Sequence, residues 1–289
     1  MSVKLLKSPF ENEFRHVMRQ ARRDVVFSSP YINDAGAAVL LDAVGNAKAK
    51  RINILTNLSP RNIVDNVTQP SALIKMYSAF AETTVSSLAK LHAKVYIADE
   101  THAIITSANL TYGGLKSNFE YGVLIDDSET VKSIKHDVLE YAALGLVFDQ
   151  IFLARIYEES KKIERIQEKP DRQRQDSELR LLLKQQEKIE VILASRYDSD
   201  DTIHSIFTKT IIFLLQKYGQ LTTKELYALI QDIHPEMCDN AVRHITNKGR
   251  DFGIKWRHHV RQAQVSLGKS GTIVGQGKPR NFIWTLATR

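Results

Sequence analysis

Apolar and polar positions along residues 1–150 switch repeatedly between two periods. Residues 10–22 space apolar side chains among polar ones and predict a helix. "DVVFSSPYI" is an apolar run closed by a Ser-Ser-Pro turn, the pattern of a buried strand. "GAAVLLDAVGNAKAK" predicts a helix, "RINILTNL" a second strand and "SALIKMYSAFAE" another helix. Two short apolar strands follow, "AKVYIAD" and "HAIITSA", with Asp99, Glu100 and Thr101 between them as a hairpin turn. "EYGVLIDD" predicts one more strand, and "SETVKSIKHDVLEYAAL" a helix opening at Ser128. Strands alternating with helices imply an α/β layer domain of roughly 150 residues.

The pattern then changes. Residues 155–201 are almost wholly charged or polar, with a few Ile and Leu, and Pro170 interrupts them. Two helical segments joined near Pro170 are expected, serving as a connector. No a/d repeat persists over several heptads, which leaves coiled-coil pairing unassigned. Beyond it, "TIHSIFTKTIIFLLQKYG" is an amphipathic helix stopped by Gly219. "LTTKELYALIQDIHP" predicts a helix with Thr223 as N-cap that stops before Pro235. In "KWRHHVRQAQVSLGKSG", Trp256, Val260, Ala263 and Leu267 stand at i, i+4, i+7 and i+11 and form one apolar stripe. Arg257, Arg261 and Gln264 are expected on an adjacent polar face. "GTIVGQGKPRNFIWTLA" predicts two strands joined by a basic Gly-Lys-Pro-Arg turn. Helices followed by a basic helix and a hairpin describe a winged helix-turn-helix. The expected domains are 1–155 for the α/β layer, 156–201 for the helical linker and 202–289 for the winged helix.

Composition adds two constraints. With 43% apolar and 25% charged residues, the 289-residue chain reads as an ordinary globular protein with room for two domains. No apolar stretch is long enough to span a bilayer, and "MSVKLLKSPFENEF" has no uninterrupted apolar segment. Cys238 is the single cysteine, so no intrachain disulfide framework exists. A cytoplasmic protein without a membrane partner is expected. The net charge of +7 is unevenly spread: residues 202–289 hold 13 Lys and Arg against 5 Asp and Glu, while residues 1–201 hold 27 against 28. A basic excess confined to the last third points to a polyanion, nucleic acid first.

The segment "LHAKVYIADETHAIITSANLTYGG" gathers chemistry on this frame. On a strand His92 and Lys94 share a face, and the hairpin brings Ser107 and Asn109 alongside. An imidazole, an ammonium, a hydroxyl and a carboxamide on one patch suit a phosphodiester. Lys94 and Asn109 can hold non-bridging oxygens and stabilise charge on phosphorus. A neutral imidazole such as that of His92 can attack as a nucleophile.

The spacing His92-x-Lys94, Asp99, Thr106-Ser107-x-Asn109 resembles the H-x-K-x4-D-x6-G-S-x-N signature of the phospholipase D superfamily. Thr106 stands where that family usually has glycine. "VVFSSPYI" looks like the family's first core strand, and "SNFEYGVLI" like the segment supplying a downstream acid, here Glu120. The likeness covers residues from about 10 to 150 and implies a mixed sheet flanked by helices. It further implies a phosphohistidine intermediate at His92, and phosphate binding by Lys94 and Asn109 with help from Ser107. Glu120 would orient the imidazole by a hydrogen bond, and Asp99 would support the site structurally. The resemblance implies no metal or other cofactor. The sequence offers no rival metal cluster, since His258 and His259 are adjacent and Cys238 has only His234 nearby.

The reaction needs a nucleophile and an acid on opposite sides of phosphorus. No second H-x-K occurs among the remaining eight histidines, and single-motif members of the superfamily pair across a homodimer. The C-terminal segment resembles a winged helix found in some restriction endonucleases. Together these readings imply a site-specific endonuclease acting on double-stranded DNA. Its expected DNA contacts are Lys255, Arg257, Arg261, Gln262, Gln264 and Lys269 on the basic helix, with Lys278 and Arg280 in the basic turn. The alternatives are a phospholipase D-type lipid hydrolase and a DNA-binding regulator with an inert catalytic fold. Further restriction-modification subunits are not identified by the sequence, and the chain has no G-x-x-x-x-G-K-S/T loop of its own.

Overall fold

In a computed structural model of the protein, the apolar runs of the first half become strands of one sheet, and the periodic segments become the helices that cover it. The structure describes residues 3–45, 51–167, 176–196, 200–245, 249–277 and 282–287. The chain divides into two units, Met1–Leu193 and Ala194–Arg289.

The first unit runs β1 (Val3–Lys7), α1 (Glu11–Met18), β2 (Asp24–Ser28), α2 (Asp34–Gly45), β3 (Arg51–Thr56), α3 (Pro60–Val64), α4 (Pro70–Ala79) and β4 (Glu82–Ser87). It continues with β5 (Val95–Ala98), β6 (His102–Thr106), β7 (Tyr121–Ile125), α5 (Ser128–Leu144), β8 (Leu146–Phe148), α6 (Gln150–Gln167) and α7 (Asp176–Ser195). The eight strands lie in the order β1-β7-β6-β5-β2-β3-β4-β8. β2, β3 and β4 are parallel neighbours, as their helical connections require, and the other pairings are antiparallel. Every residue of β2 is buried because the sheet is covered on both faces there. One face packs Phe14 of α1 edge-on against Tyr96, which stacks on Phe27. The other packs Val26, Val95, Ile97, Ala103 and Ile125 against Val131 and Val138 of α5.

The sequence reading places β2, β3, β5, β6, β7 and their helices, but not β1, β4 or β8. β4 (ETTVSS) and the outward residues of β1 lack a continuous apolar run, and β8 has three residues. α5 opens at Ser128 as expected, and Asp127 caps its start by accepting from the Thr130 amide at 3.0 Å. α6 starts before the expected linker and buries Phe152, Leu153, Ile156 and Ile163, packing on α4. α7 buries Ile189 and Leu193, and its Lys188 lies 3.8 Å from Glu159 of α6. Pro170 lies outside the described residues.

The second unit contains α8 (Asp200–Tyr218), β9 (Gln220–Thr222), α9 (Thr223–Ile233), β10 (Arg243–Ile245), β11 (Asp251–Ile254), α10 (Lys255–Lys269), β12 (Ile273–Gln276) and β13 (Ile283–Leu286). β13 lies between β12 and β9, and β10 and β11 form a separate ribbon. α8 ends at Gly219, whose φ of 76° suits glycine. The cap of α9 is Thr222 rather than the expected Thr223. Its hydroxyl takes the Glu225 amide while the Glu225 carboxylate takes the Thr222 amide. Trp256, Val260, Ala263 and Leu267 of α10 are all buried, and α10 packs on α8.

Candidate functional site

The hairpin of β5 and β6 carries the motif at one end. Val95 pairs with Ile105, and beyond that pair the Thr106 amide donates to the Lys94 carbonyl at 3.1 Å. His92 and Lys94 thus precede β5, and Ser107 and Asn109 follow β6. The expectation that all four sit on the strands is corrected: they occupy the extended segments just past the ladder. Neighbouring serines hold these segments. Ser28, buried at the end of β2, donates to the Ala93 carbonyl at 2.9 Å, between His92 and Lys94. Ser29, also buried, accepts from the Leu110 amide at 2.9 Å and donates to the Tyr31 carbonyl at 2.7 Å. The buried Tyr96 hydroxyl donates to the Ala108 carbonyl at 2.9 Å, between Ser107 and Asn109. A Cβ on Gly114 would stand 2.2 Å from the Asn109 carbonyl, so the backbone is gripped from that side too. The sequence reading missed these positioning residues. The available signal was the paired polar residues Ser28-Ser29 closing an otherwise apolar strand.

Within the motif, the Lys94 ammonium donates to the His92 carbonyl at 2.9 Å and lies 3.2 and 3.3 Å from the two ring nitrogens. Lys94 is 8% exposed. Burial holds its ammonium below the ordinary lysine range, while the charge of Glu120 acts in the opposite direction. The His92 side is exposed. Asn109 accepts from the Tyr31 amide at 3.3 Å through its side-chain oxygen, which commits the NH2 group to other acceptors.

Glu120 directly precedes β7. Its carboxylate takes the Ser107 hydroxyl and, at 3.2 Å, the Asn118 amide group, rather than the imidazole. The reason lies in the ladder: the Ser107 amide donates to the Tyr121 carbonyl at 3.0 Å, bringing its hydroxyl beside Glu120. Ser8, just beyond β1, accepts from the Glu120 amide at 2.7 Å and fixes that backbone.

Asp99 lies at the other end of the hairpin, in the turn. It is buried, at φ 55°, and accepts from the amides of Arg22 at 2.9 Å, Arg23 at 2.8 Å and Asp24 at 3.0 Å. Its contacts pin the turn to the start of β2. Thr106 is accommodated where the signature has glycine because Gly122 pairs with it across the ladder. A Cβ on Gly122 would lie 2.7 Å from the Thr106 Cβ. The Thr106 hydroxyl meanwhile donates to the Tyr121 carbonyl at 3.1 Å and accepts from the Ala108 amide at 3.2 Å.

In the second unit the residues expected to contact DNA divide. Gln262 and Lys269 are exposed and Lys255 is half-buried. Gln264 is 3% exposed, a correction to its expected polar face: it stands four residues after Val260 and three before Leu267, inside the buried stripe. The Arg257 guanidinium lies 5.3 Å from the ring centres of both Tyr227 and Trp256 and is half-buried. Arg261 is exposed but donates to the Phe252 carbonyl at 3.2 Å and meets the Tyr227 hydroxyl at 3.5 Å. Lys278 and Arg280 lie outside the described residues.

Residues 14–140, fewer than half of the chain, match the family described as cardiolipin synthase, PLD-like domain. The chain is similar to DISARM protein DrmC of Bacillus paralicheniformis, with 28% identity over 109 residues. That match covers 38% of this chain and 41% of that relative. Among solved structures, Nuc of Salmonella typhimurium, a phospholipase D family member, is similar with a TM-score of 0.41 and 18% identity over 51% of this chain and 97% of that one. NucT of Helicobacter pylori gives a TM-score of 0.37 and 22% identity over 48% of this chain and 96% of that one. Among the described residues no helix is long and apolar enough to cross a membrane.

Proposed function

We propose that the protein is a metal-independent, site-specific DNA endonuclease of the restriction type, acting through a phosphohistidine at a centre shared by two chains. The observation that carries this reading is the gathering of His92, Lys94, Ser107, Asn109 and Glu120 at one end of the β5–β6 hairpin, inside the segment that matches the PLD-like domain.

The chemistry runs in two steps. The neutral His92 imidazole of one chain attacks phosphorus; a P–N bond forms and the P–O bond to the leaving strand breaks. The protonated His92 imidazole of the second chain gives its proton to the leaving oxygen. That imidazole then takes a proton from water, which attacks phosphorus and breaks the P–N bond, restoring both histidines. Lys94 and the Asn109 NH2 group hold the non-bridging oxygens throughout. Ser107, tied to Glu120, lines the same patch.

A second copy is favoured by exposed aromatics around the motif. Phe119, directly before Glu120, is 105% exposed, and Tyr112 and Tyr121 are more than half exposed. Covering one phenyl ring contributes roughly 1.5–3 kcal/mol. DNA is favoured as substrate by the 13 Lys and Arg against 5 Asp and Glu of residues 202–289. The order β12-β13-β9 beside α8, α9 and α10 supports the winged-helix reading of that unit. The domains proposed remain 1–155 catalytic, 156–201 linker and 202–289 DNA-binding.

Lipid hydrolysis is the second reading, because the family description names a lipid enzyme. Plasmid cleavage and phosphatidyl headgroup release are measured side by side in excess EDTA. Plasmid cleavage alone is expected. Activity restored only by a divalent metal, or headgroup release without cleavage, would overturn the proposal.

A further inference from the structure

One face of α10 remains once its buried stripe is set aside. Gln262, Val265, Ser266 and Lys269 stand at i, i+3, i+4 and i+7 and are all exposed. With His258 and Arg261 of the same helix and His204 of α8, they line a concave groove of about 630 Å³. The lining offers two imidazoles, a guanidinium, an ammonium, a hydroxyl and a carboxamide, and no carboxylate. The walls are fixed from behind. His258 stacks on His244 of β10 with ring centres 4.2 Å apart and planes 8° from parallel. Arg261 is tied to the Phe252 carbonyl of β11, which uses part of its five-donor fork.

We infer that this groove seats one phosphodiester strand of bound DNA and grips its backbone rather than reading its bases. The inference rests on the DNA reading above. Base edges are read by an element that projects into a major groove about 12 Å wide. A helix face recessed beside a second helix is poorly placed for that and well shaped for a rounded backbone. Arg261, Lys269, His204 and Ser266 supply donors for phosphate oxygens. Val265, 54% exposed at the centre of the stripe, supplies an apolar contact for deoxyribose.

The test uses the full-length chain carrying His92→Ala, so that DNA is bound without being cut. Binding is followed by fluorescence anisotropy against the duplex selected by the parent protein and against a random-sequence duplex, across a salt series. Lys269→Ala is expected to weaken both duplexes alike and to reduce the slope of log affinity on log salt by about 0.9. Val265→Glu, which puts a negative charge into the groove at a solvent-facing position, is expected to weaken both by more than about tenfold. Lys217→Ala removes the same charge near the opposite end of α8 and is expected to change neither. Fluorescence of Trp256 and Trp284 verifies that each variant keeps its fold. A changed sequence preference in Lys269→Ala or Val265→Glu, or unchanged binding in both, would overturn the groove assignment. A parent protein that binds neither duplex would overturn the DNA reading itself.

Discussion

Replacing Asp99 separates structural support from chemistry, because its contacts define what each replacement loses. One carboxylate oxygen accepts from the Arg23 and Asp24 amides, and the other from the Arg22 amide. In Asp99→Ala all three acceptors vanish, at about 1 kcal/mol net each. Alanine must also hold the left-handed φ of 55°, which costs roughly another 1–2 kcal/mol. The expected loss is about 4–5 kcal/mol, a large part of a typical domain's stability. Asp99→Asn keeps one oxygen for Arg23 and Asp24, tolerates the backbone conformation, and sets an NH2 group against the Arg22 amide. Its expected loss is about 1–2 kcal/mol. At a urea slope of about 2 kcal/mol/M the midpoints fall by about 2 M and 0.5–1 M. Trp256 and Trp284 both belong to the second unit, so tryptophan fluorescence reports the wrong part of the chain. Far-UV circular dichroism, with hydrogen exchange at Arg22–Asp24, reads the first unit. If Asp99→Ala abolishes cleavage while both readouts match the parent protein, Asp99 takes part in the reaction and the structural reasoning is wrong.

Mixing parent chains with His92→Ala chains at constant total protein should make activity follow the square of the parent fraction under the proposed two-chain centre; a linear dependence would show independent sites. Gly122→Ala brings a Cβ to 2.6 Å from the Ile105 carbonyl and 2.7 Å from Thr106, so a loss of roughly 1–3 kcal/mol is expected in urea unfolding, with cleavage reduced further than stability alone requires. Unchanged unfolding and cleavage would contradict the close approach. Burial pushes the Cys238 thiol up to about 12, so at pH 8 it stays protonated and alkylation by iodoacetamide should be slow until urea opens the second unit. Rapid modification of the native protein would refute that packing.

How much was legible in the sequence differs by element. β2, β5 and β6 announce themselves because buried strands need continuous apolar runs, and the motif could be located from its spacing. β4 could not, because Thr83, Thr84, Ser86 and Ser87 read as a loop until β3 and β8 pair on either side. Gln264 was misplaced by its polarity although its spacing matches the buried stripe. Here helical phase was the better guide. The cap at Thr222 was missed by one residue, because the deciding contact is a side-chain acceptor to an amide three positions later. The holds of Ser8, Ser28, Ser29 and Tyr96 on the motif are long-range, so no local pattern states them. The partner of Glu120 was also hidden, since it depends on the β6–β7 register.

Thr106 and Gly122 have a consequence for which substitutions the ladder admits. A side chain at 106 is admissible because 122 has none, so the two positions, sixteen residues apart in the chain, are sterically coupled across the ladder. A side chain at 122 would crowd both Thr106 and the Ile105 carbonyl, so the pair carries one Cβ fewer than two ordinary residues would. A pattern written along a single strand would score Thr106 as a defect. Written across the ladder, the same residues satisfy the rule, with the missing Cβ moved to the neighbouring strand.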